Sequence, residues 1–566
     1  MATEYENRIT GSALWAAAGD ALGFITELTD AQGLKWRIGS SAVSTTTRWR
    51  RSVGGKFGAV VDFPAGVYSD DTQLRLATSR AIRSDGHFDV EAFAKVELPV
   101  WLCYALGGGI STKAAAGALG HPDVNWYSNF FETKAAKYTE AGGNGAAMRV
   151  QPHVWASKGF APGDYVPNII RNAVCTHGHM RGVFGAVFHG FCLGEVLRTG
   201  NATSPDVWQK SLECAAQIPE FVKRDPDLST FWLPVWESKA KCEIQKACEV
   251  VRRECEEDIE RLLAATNIEG AEHYKKALEG LGCLSPENRG SGTKTAMIAA
   301  WLAWANRESP PLEVLTLAAN VLSSDTDTIG TMAGALLGAA ATVLPTLELM
   351  DRDYVAAEAA RLSGIASGRQ APNFQYPDLL SWKPPRTQLD AVGIVKGQVM
   401  VAGLGEAEVI GTKYSARKKD GTNWQWLRTR FGQTMLGKQR EILPIVERAS
   451  MPERKAGLNE PNLGRPKVRI SDQMSMLDSK DARETPPDAP SSKLTLDELT
   501  GEAIRSGFNA ELIGRHLLAF AEMPDGIEKA LAYAAIIIKA RRARLLSSHS
   551  EKSNAKQIPK TGEVQS

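Results

Sequence analysis

Charge imbalance is almost missing from this chain: 66 Lys and Arg against 65 Asp and Glu leave a formal charge of +1. No global electrostatic signature marks it as a protein that coats nucleic acid or an anionic membrane surface, although a local basic patch is still allowed. Cysteine is scarce too, eight residues with no CxxC pair. A disulfide framework is therefore not expected, and reducing cytosol is the expected compartment, so the localisation reads as cytoplasmic. Cys242, Cys248 and Cys255 fall near heptad spacing and read as one partly buried helix face. The start, Met1 to Thr10, is polar and acidic and lacks the pattern of a secretory signal. The longest apolar run near the C-terminus, Ala530 to Ile538, is far shorter than the roughly 18 residues of a membrane span, so no membrane partner is expected.

What is present is ordinary apolar content, 43%, in 566 residues. That length is too great for one ordinary core and predicts two or more domains. From Ile9 to about Arg361 the pattern is Ala-rich, Gly-punctuated and helical. After Thr328, the residues Ile329, Met332, Ala333, Leu336, Leu337 and Ala340 recur at three and four. Gly330, Gly334 and Gly338 form a second stripe that lets another backbone approach closely. Residues 1–372 therefore read as a compact all-α multi-helix domain, with residues 201–285 as an inserted helical hairpin. Residues 388–447 read as a small β-barrel-like module, with Asp420-Gly421 as a hairpin turn. Residues 448–493, rich in Pro, Ser, Asp and Lys, read as a disordered linker. Residues 494–548 regain helical periodicity as a small C-terminal domain, and 549–566 read as a disordered tail.

The chemistry gathers in short oxygen-rich stretches. Asp325, Thr326, Asp327 and Thr328 precede the apolar helix, and Ser69, Asp70, Asp71 and Thr72 precede another. A third acidic element is a helical run carrying Asp20 and Glu27. Ser, Thr and Asp ahead of a helix are also what N-caps look like. A cap needs one oxygen, however, and each of these helices carries four such residues. Carboxylates and hydroxyls without His or Cys suit Mg²⁺ or Mn²⁺ rather than zinc. Two clusters of this kind suit a pair of metal ions roughly 3.5–4 Å apart. "GGNGAAMRVQP" at 142–152 offers a Gly-rich turn whose N–H groups could cradle a diphosphate. His177 and His179 have no third ligand nearby and do not read as a zinc pair.

The order of these motifs, GDALG with a later Glu, SDDTQ, GNGAAMR, a TH pair and DTDTI ahead of AGALLGA, resembles the ADP-ribosylglycohydrolase family of the dinitrogenase-reductase-activating type. The resemblance runs from about Ile9 to Leu347, interrupted by the 201–285 insertion. It implies an all-α core with two Mg²⁺ (or Mn²⁺) ions and release of ADP-ribose from ADP-ribosyl conjugates. Carried over, the metal ligands are Ser69, Asp70, Asp71, Asp325, Asp327 and Thr328. Glu27, Asp70 and Asp325 take the catalytic positions. Asn144, Gly145, Met148, Arg149 and His177 take the substrate-binding positions. An ADP-ribosylated protein is the expected substrate, with nucleic acid as a second candidate.

Three departures from the family pattern stand out. Ser69 replaces the usual Thr, Ser323-Ser324 replace two glycines, and the loop from Gly23 to Tyr68 is long and basic at Arg48 to Gly58. That loop reads either as a solvated surface or as a contact for an anionic substrate. "WQWLRTR" places Trp424, Trp426, Arg428 and Arg430 on one strand face. It reads either as a base-stacking platform or as a barrel core with arginines at the rim. Two other function classes remain: an inactive scaffold that holds ADP-ribose while the C-terminal modules recruit a protein partner, and a metal-dependent phosphate-ester hydrolase.

Overall fold

The structure is a computed structural model that describes residues 4–265, 272–417, 420–447, 450–452, 496–523, 526, 529–538 and 540–541. The chain divides into two compact units, Met1–Leu458 and Asn459–Ser566. In the first, the N-terminal helix (Glu4–Thr26) and the helix Thr326–Ala340 lie together and are buried along nearly their whole length. Glycines make this possible. Gly11 abuts Gly338 and Gly19 abuts Gly330, so closely that a Cβ on Gly330 would sit 2.5 Å from the Gly19 carbonyl oxygen. At the far end Thr326 Oγ1 donates to the Gly23 carbonyl at 2.8 Å. This seam brings the mouth of one helix beside the exit of the other, and so sets Asp325–Thr328 next to Glu27.

The helix Asp70–Arg80 begins at Ser69, whose hydroxyl caps it by accepting from the Asp71 N–H. Asp20, midway along the N-terminal helix, clamps the same turn. Its carboxylate accepts from the Ser69 N–H at 2.8 Å, the Thr72 N–H at 2.9 Å and the Thr72 hydroxyl at 2.6 Å. Among the described residues one helix, Met180–Thr199, is long and apolar enough to cross a membrane, and it is mostly buried inside the unit. The insertion is more than the expected hairpin. It runs through the helices Pro205–Ala215, Ile218–Arg224, Leu233–Ala240, Ile244–Ala265 and Glu272–Gly280. Proline at the first or second position restarts the first three of them, where the missing N–H is harmless. Cys248 and Cys255 fall on the buried face of the long helix, while Cys242 lies just ahead of it.

The first region is mostly helical, with one departure from the all-α expectation. Within the supposed loop, β1 (Trp49–Val53) pairs with β2 (Ala59–Phe63), antiparallel with Arg51 opposite Val61. Trp49 and Phe63 turn inward onto Phe24, with ring centroids 5.2 and 6.0 Å away, and this burial explains why the segment is not a solvated loop.

After it comes an antiparallel meander of β3 (Val392–Val395), β4 (Gln398–Val401), β5 (Gly405–Ser415), β6 (Thr422–Thr429) and β7 (Thr434–Arg440). The Asp420 carboxylate accepts from the Thr422 N–H at the β5–β6 turn. The meander is part of the first unit rather than a free module. Lys438 N–H donates to the Cys103 carbonyl at 2.8 Å, Thr434 N–H to Asp351 at 2.6 Å, and Arg80 to Gln433 at 2.6 Å. Trp424 and Trp426 are buried, and the Trp426 ring meets Phe63 at 5.7 Å. The base-stacking platform is therefore not formed: the tryptophans are core, while Arg428 and Arg430 are exposed.

The second unit has its own small core of Leu499, Ala503, Phe520, Tyr533 and Ile537, on the helices Leu496–Arg505, Ala510–Ala521 and Lys529–Ile538. The expected linker at 448–493, apart from residues 450–452, and the expected tail at 549–566 lie outside the described residues.

Candidate functional site

The two oxygen clusters, more than two hundred residues apart in sequence, meet. The Thr328 hydroxyl lies 3.3 Å from Asp71 Oδ2, and the Ser69 hydroxyl donates to the same oxygen at 3.1 Å. Asp70 Oδ1 accepts from the Gly108 N–H at 2.7 Å. Asp325 Oδ2 accepts from Asn144 Nδ2 at 2.8 Å, which ties the Gly-rich loop to the second cluster. Asp327 Oδ1 accepts from the Thr328 N–H at 3.0 Å. Unlike Ser69, the Asp325 side chain caps no backbone N–H of its helix; its carboxylate is engaged by Asn144 and Asp327 instead. Glu27 ends the N-terminal helix, its N–H donating to the Gly23 carbonyl, and its charge is felt at Asp70, Asp325 and Asp327.

The electrostatics of this gathering are unfavourable without a cation. Burial, then the charges of Glu27 and Asp20, push Asp70 up to about 8, against the pull of Lys113 and the Gly108 N–H. Burial, then Asp20, Asp70 and Asp325, raise Asp71 well above the carboxylate range. Burial, then Glu27 and Asp325, raise Asp327 in the same way. Asp325 is raised by burial but relieved by hydrogen bonds from Asp327 and Asn144. Arg75, itself buried, donates to the Thr72 hydroxyl at 2.6 Å and faces Asp20 and Asp71. It is one buried cation among several carboxylates.

Asp71 Oδ1 is buried and has no hydrogen-bond partner among the described residues. An orphaned carboxylate oxygen beside further acids fits a hard divalent cation, as does a donor set made wholly of carboxylates and hydroxyls. Among the described residues no three His, Cys, Asp or Glu side chains are drawn into a ready-made metal cluster. Like charges hold apart unless a cation draws them in, and hydroxyls complete the set here, so the donor chemistry is the more telling observation.

The loop at 142–149 lies alongside. Asn144 N–H donates to the Gly290 carbonyl at 2.9 Å, and a Cβ on Gly145 would press on Thr112 and the His177 ring. His177 is buried, with Nδ1 2.7 Å from the Thr176 hydroxyl; burial, then Arg149, hold it down to about 3, so it is neutral. Arg149 and Met148 sit differently from the substrate contacts that the family pattern suggests. Arg149 is fully buried and donates to Asn172 Oδ1, the Asn172 and Gly145 carbonyls and the Thr176 hydroxyl. Met148 is buried as well. Both side chains are therefore part of the core, and Arg149 ties the loop to Asn172 and Thr176.

Sequence reasoning missed Arg51, whose Nη2 reaches Glu27 Oε2 at 3.0 Å. The signal was available: Gly54-Gly55 between "WRRSV" and "AVVDF" marks a hairpin, and period two then puts Arg51 on the same face as Trp49.

Together these features define a mostly helical core in which two acidic, hydroxyl-lined helix mouths face each other beside a Gly-rich loop. The family model for ADP-ribosylglycohydrolase matches residues 1–371, and the chain belongs to that family. A solved structure described as an ADP-ribosylglycohydrolase-related protein complex is 20% identical, covering 64% of this chain and 99% of its own, at a TM-score of 0.37; at that score the likeness carries no argument. No curated protein matches the chain.

Proposed function

We propose that this glycohydrolase of ADP-ribosyl conjugates is metal-dependent and releases ADP-ribose from a modified protein in the cytoplasm. ADP-ribosylated nucleic acid is the second candidate substrate. The observation that carries the metal reading is the meeting of the two clusters at Asp71, with Oδ1 buried and unpartnered.

Ser69, Asp70, Asp71, Asp325, Asp327 and Thr328 would hold two Mg²⁺ ions, with Mn²⁺ as the other candidate. Such ions, when bound, orient ribose hydroxyls and favour ionisation of a water. The chain's own residues do the rest. In the hydrolysis a water oxygen bonds to the anomeric carbon of the ribose. The bond from that carbon to the acceptor atom breaks, its electron pair leaving with the acceptor, which takes up a proton. Glu27, Asp70 and Asp325 are the carboxylates that can take the proton from water and deliver one to the acceptor. Asn144 fixes the orientation of Asp325, and Asp20 fixes the Ser69–Thr72 turn. The N–H groups of Asn144, Met148 and Arg149 are taken up within the fold, so it is the remaining N–H groups of the 142–149 loop that suit the diphosphate, while neutral His177 shapes the loop without adding charge.

The test is ADP-ribose release from ADP-ribosyl-arginine protein, ADP-ribosyl-serine peptide and ADP-ribosylated DNA, each with Mg²⁺ and with chelator. Release from at least one, lost in chelator and reduced on the order of 10³-fold in Asp325→Ala with thermal unfolding unimpaired, is the expected result. Full activity of that variant with its metal content intact would sink the ligand assignment.

A further inference from the structure

Glu27 is already engaged by a cation from its own chain. Arg51, on β1, holds Glu27 Oε2 at 3.0 Å, with the two side chains 19% and 14% exposed. Its guanidinium lies over the Phe24 ring, 4.6 Å from the centroid. The other terminal nitrogen, Nη1, is buried and has no hydrogen-bond partner among the described residues. A second guanidinium stands close. Arg37 Nη1 donates to the carbonyls of Ile25 at 2.7 Å and Glu27 at 2.9 Å. It is near enough to be repelled by Arg51 and attracted by Glu27. The Glu27 carboxylate is thus held by Arg51, with the Arg37 guanidinium bonded to the main chain beside it.

The hairpin that carries Arg51 is pinned. Gly54 at its tip lies so close to Trp424 that a Cβ would collide with the ring, Arg417 N–H donates to the Gly58 carbonyl at 3.1 Å, and Phe63 meets Trp426. The β meander therefore holds Arg51 in place over Glu27.

We propose that Arg51 is a specificity-determining residue: it occupies Glu27 against a cationic guanidinium acceptor and selects conjugates whose acceptor is uncharged, such as a serine hydroxyl. The inference rests on the glycohydrolase reading above. A guanidinium acceptor would meet a carboxylate already paired with Arg51 and a second cation, Arg37, beside it. To pair with Glu27 it would have to displace Arg51, whose other nitrogen has no partner, and so leave a half-buried charge unpaired. An uncharged acceptor meets no such obstacle. Repulsion built against the wrong partner is a general route to specificity.

The experiment compares one peptide carrying ADP-ribose on serine or on arginine, using full-length wild type, Arg51→Met and Arg51→Lys with Mg²⁺. Arg51→Met keeps an apolar stem over Phe24 and removes the charge; Arg51→Lys keeps the charge. Wild type should favour the serine conjugate in kcat/KM by about 10-fold or more, a difference of the size single contacts produce. In Arg51→Met the ratio should move toward arginine by about 10-fold, mainly through KM of the arginine conjugate, and in Arg51→Lys it should stay within about 3-fold of wild type. Should Arg51→Met not fold, Arg51→Gln carries the same test. Wild type preferring arginine, or a ratio that Arg51→Met and Arg51→Gln leave unmoved, overturns the assignment of Arg51 while the glycohydrolase stands. Release from neither conjugate nor from ADP-ribosylated DNA overturns both.

Discussion

The candidate site has two flanks built by different means. On one, the N-terminal helix and Thr326–Ala340 meet backbone to backbone, Gly19 on Gly330 and Gly11 on Gly338. On the other, the β1–β2 hairpin is held by rings and long cationic side chains, among them Trp49, Trp424, Arg37 and Arg51. The first flank is close-packed through glycine backbone, so the oxygens at its mouth keep fixed places, as the proposed metal centre would require. The second is assembled from side chains, and of these Arg51 reaches Glu27 directly. What must stay constant is held by backbone; what can select an acceptor is held by side chains.

Acid should break the helical core before the β hairpin and meander. Burial lowers His153, His177 and His189 to about 3 each, from an ordinary 6.5. No histidine lies in the hairpin or in 388–447. A depressed histidine lends stability that is complete above its unfolded value and is lost as pH falls toward the folded one. With Mg²⁺ saturating, so that the raised carboxylates add no opposing slope, stability should therefore fall between pH 6.5 and 5, by several kcal/mol in total. A flat profile across that window would contradict the burial of these rings.

The same substitution on the two flanks gives a sharper comparison. Gly330→Ala drives a methyl into the Gly19 carbonyl and should cost about 1–3 kcal/mol or more. Gly55→Ala at the hairpin meets nothing within 4 Å and strains only its φ of 68°, a cost of about 1 kcal/mol. Chemical denaturation of both variants ranks them; equal losses would remove the distinction.

A smaller effect runs the other way with pH. Asp70, Asp71, Asp325 and Asp327 are raised in the fold above an ordinary 3.8, Asp70 to about 8. A raised carboxylate lends stability that is complete below the unfolded value and is lost as pH climbs through the folded one. Above pH 6.5 the buried histidines no longer contribute a slope. Protein stripped with chelator should therefore lose melting temperature from pH 6.5 to 8, and Mg²⁺ should level the profile.

Much of this was legible in sequence where the signal is local. The glycine stripe at Gly330, Gly334 and Gly338 announced a close backbone neighbour, and the four-residue oxygen runs exceeded what capping needs. What stayed hidden depends on tertiary partners. Asp20 read only as part of an acidic helical run because its three donors, from Ser69 and Thr72, arrive from fifty residues away. Arg149 read as a ligand-facing cation because nothing local shows Asn172 and Thr176 taking its guanidinium. The hairpin was obscured by its own arginines, which suggest solvent until Phe24 and Glu27 are placed beside Arg51. The tryptophans of "WQWLRTR" were ambiguous until Phe63 supplied the other side of their core.

The central claim is that the Ser69–Thr72 and Asp325–Thr328 mouths form one cation centre. Its most direct test is a calorimetric titration of Mg²⁺ into chelator-stripped protein at pH 7, in two buffers of different ionisation enthalpy. Saturable binding of about two ions per chain, with release of protons from the raised carboxylates and loss of binding in Asp71→Asn, is the predicted result. No saturable binding of Mg²⁺ or Mn²⁺, or binding that Asp71→Asn leaves unchanged, would contradict it.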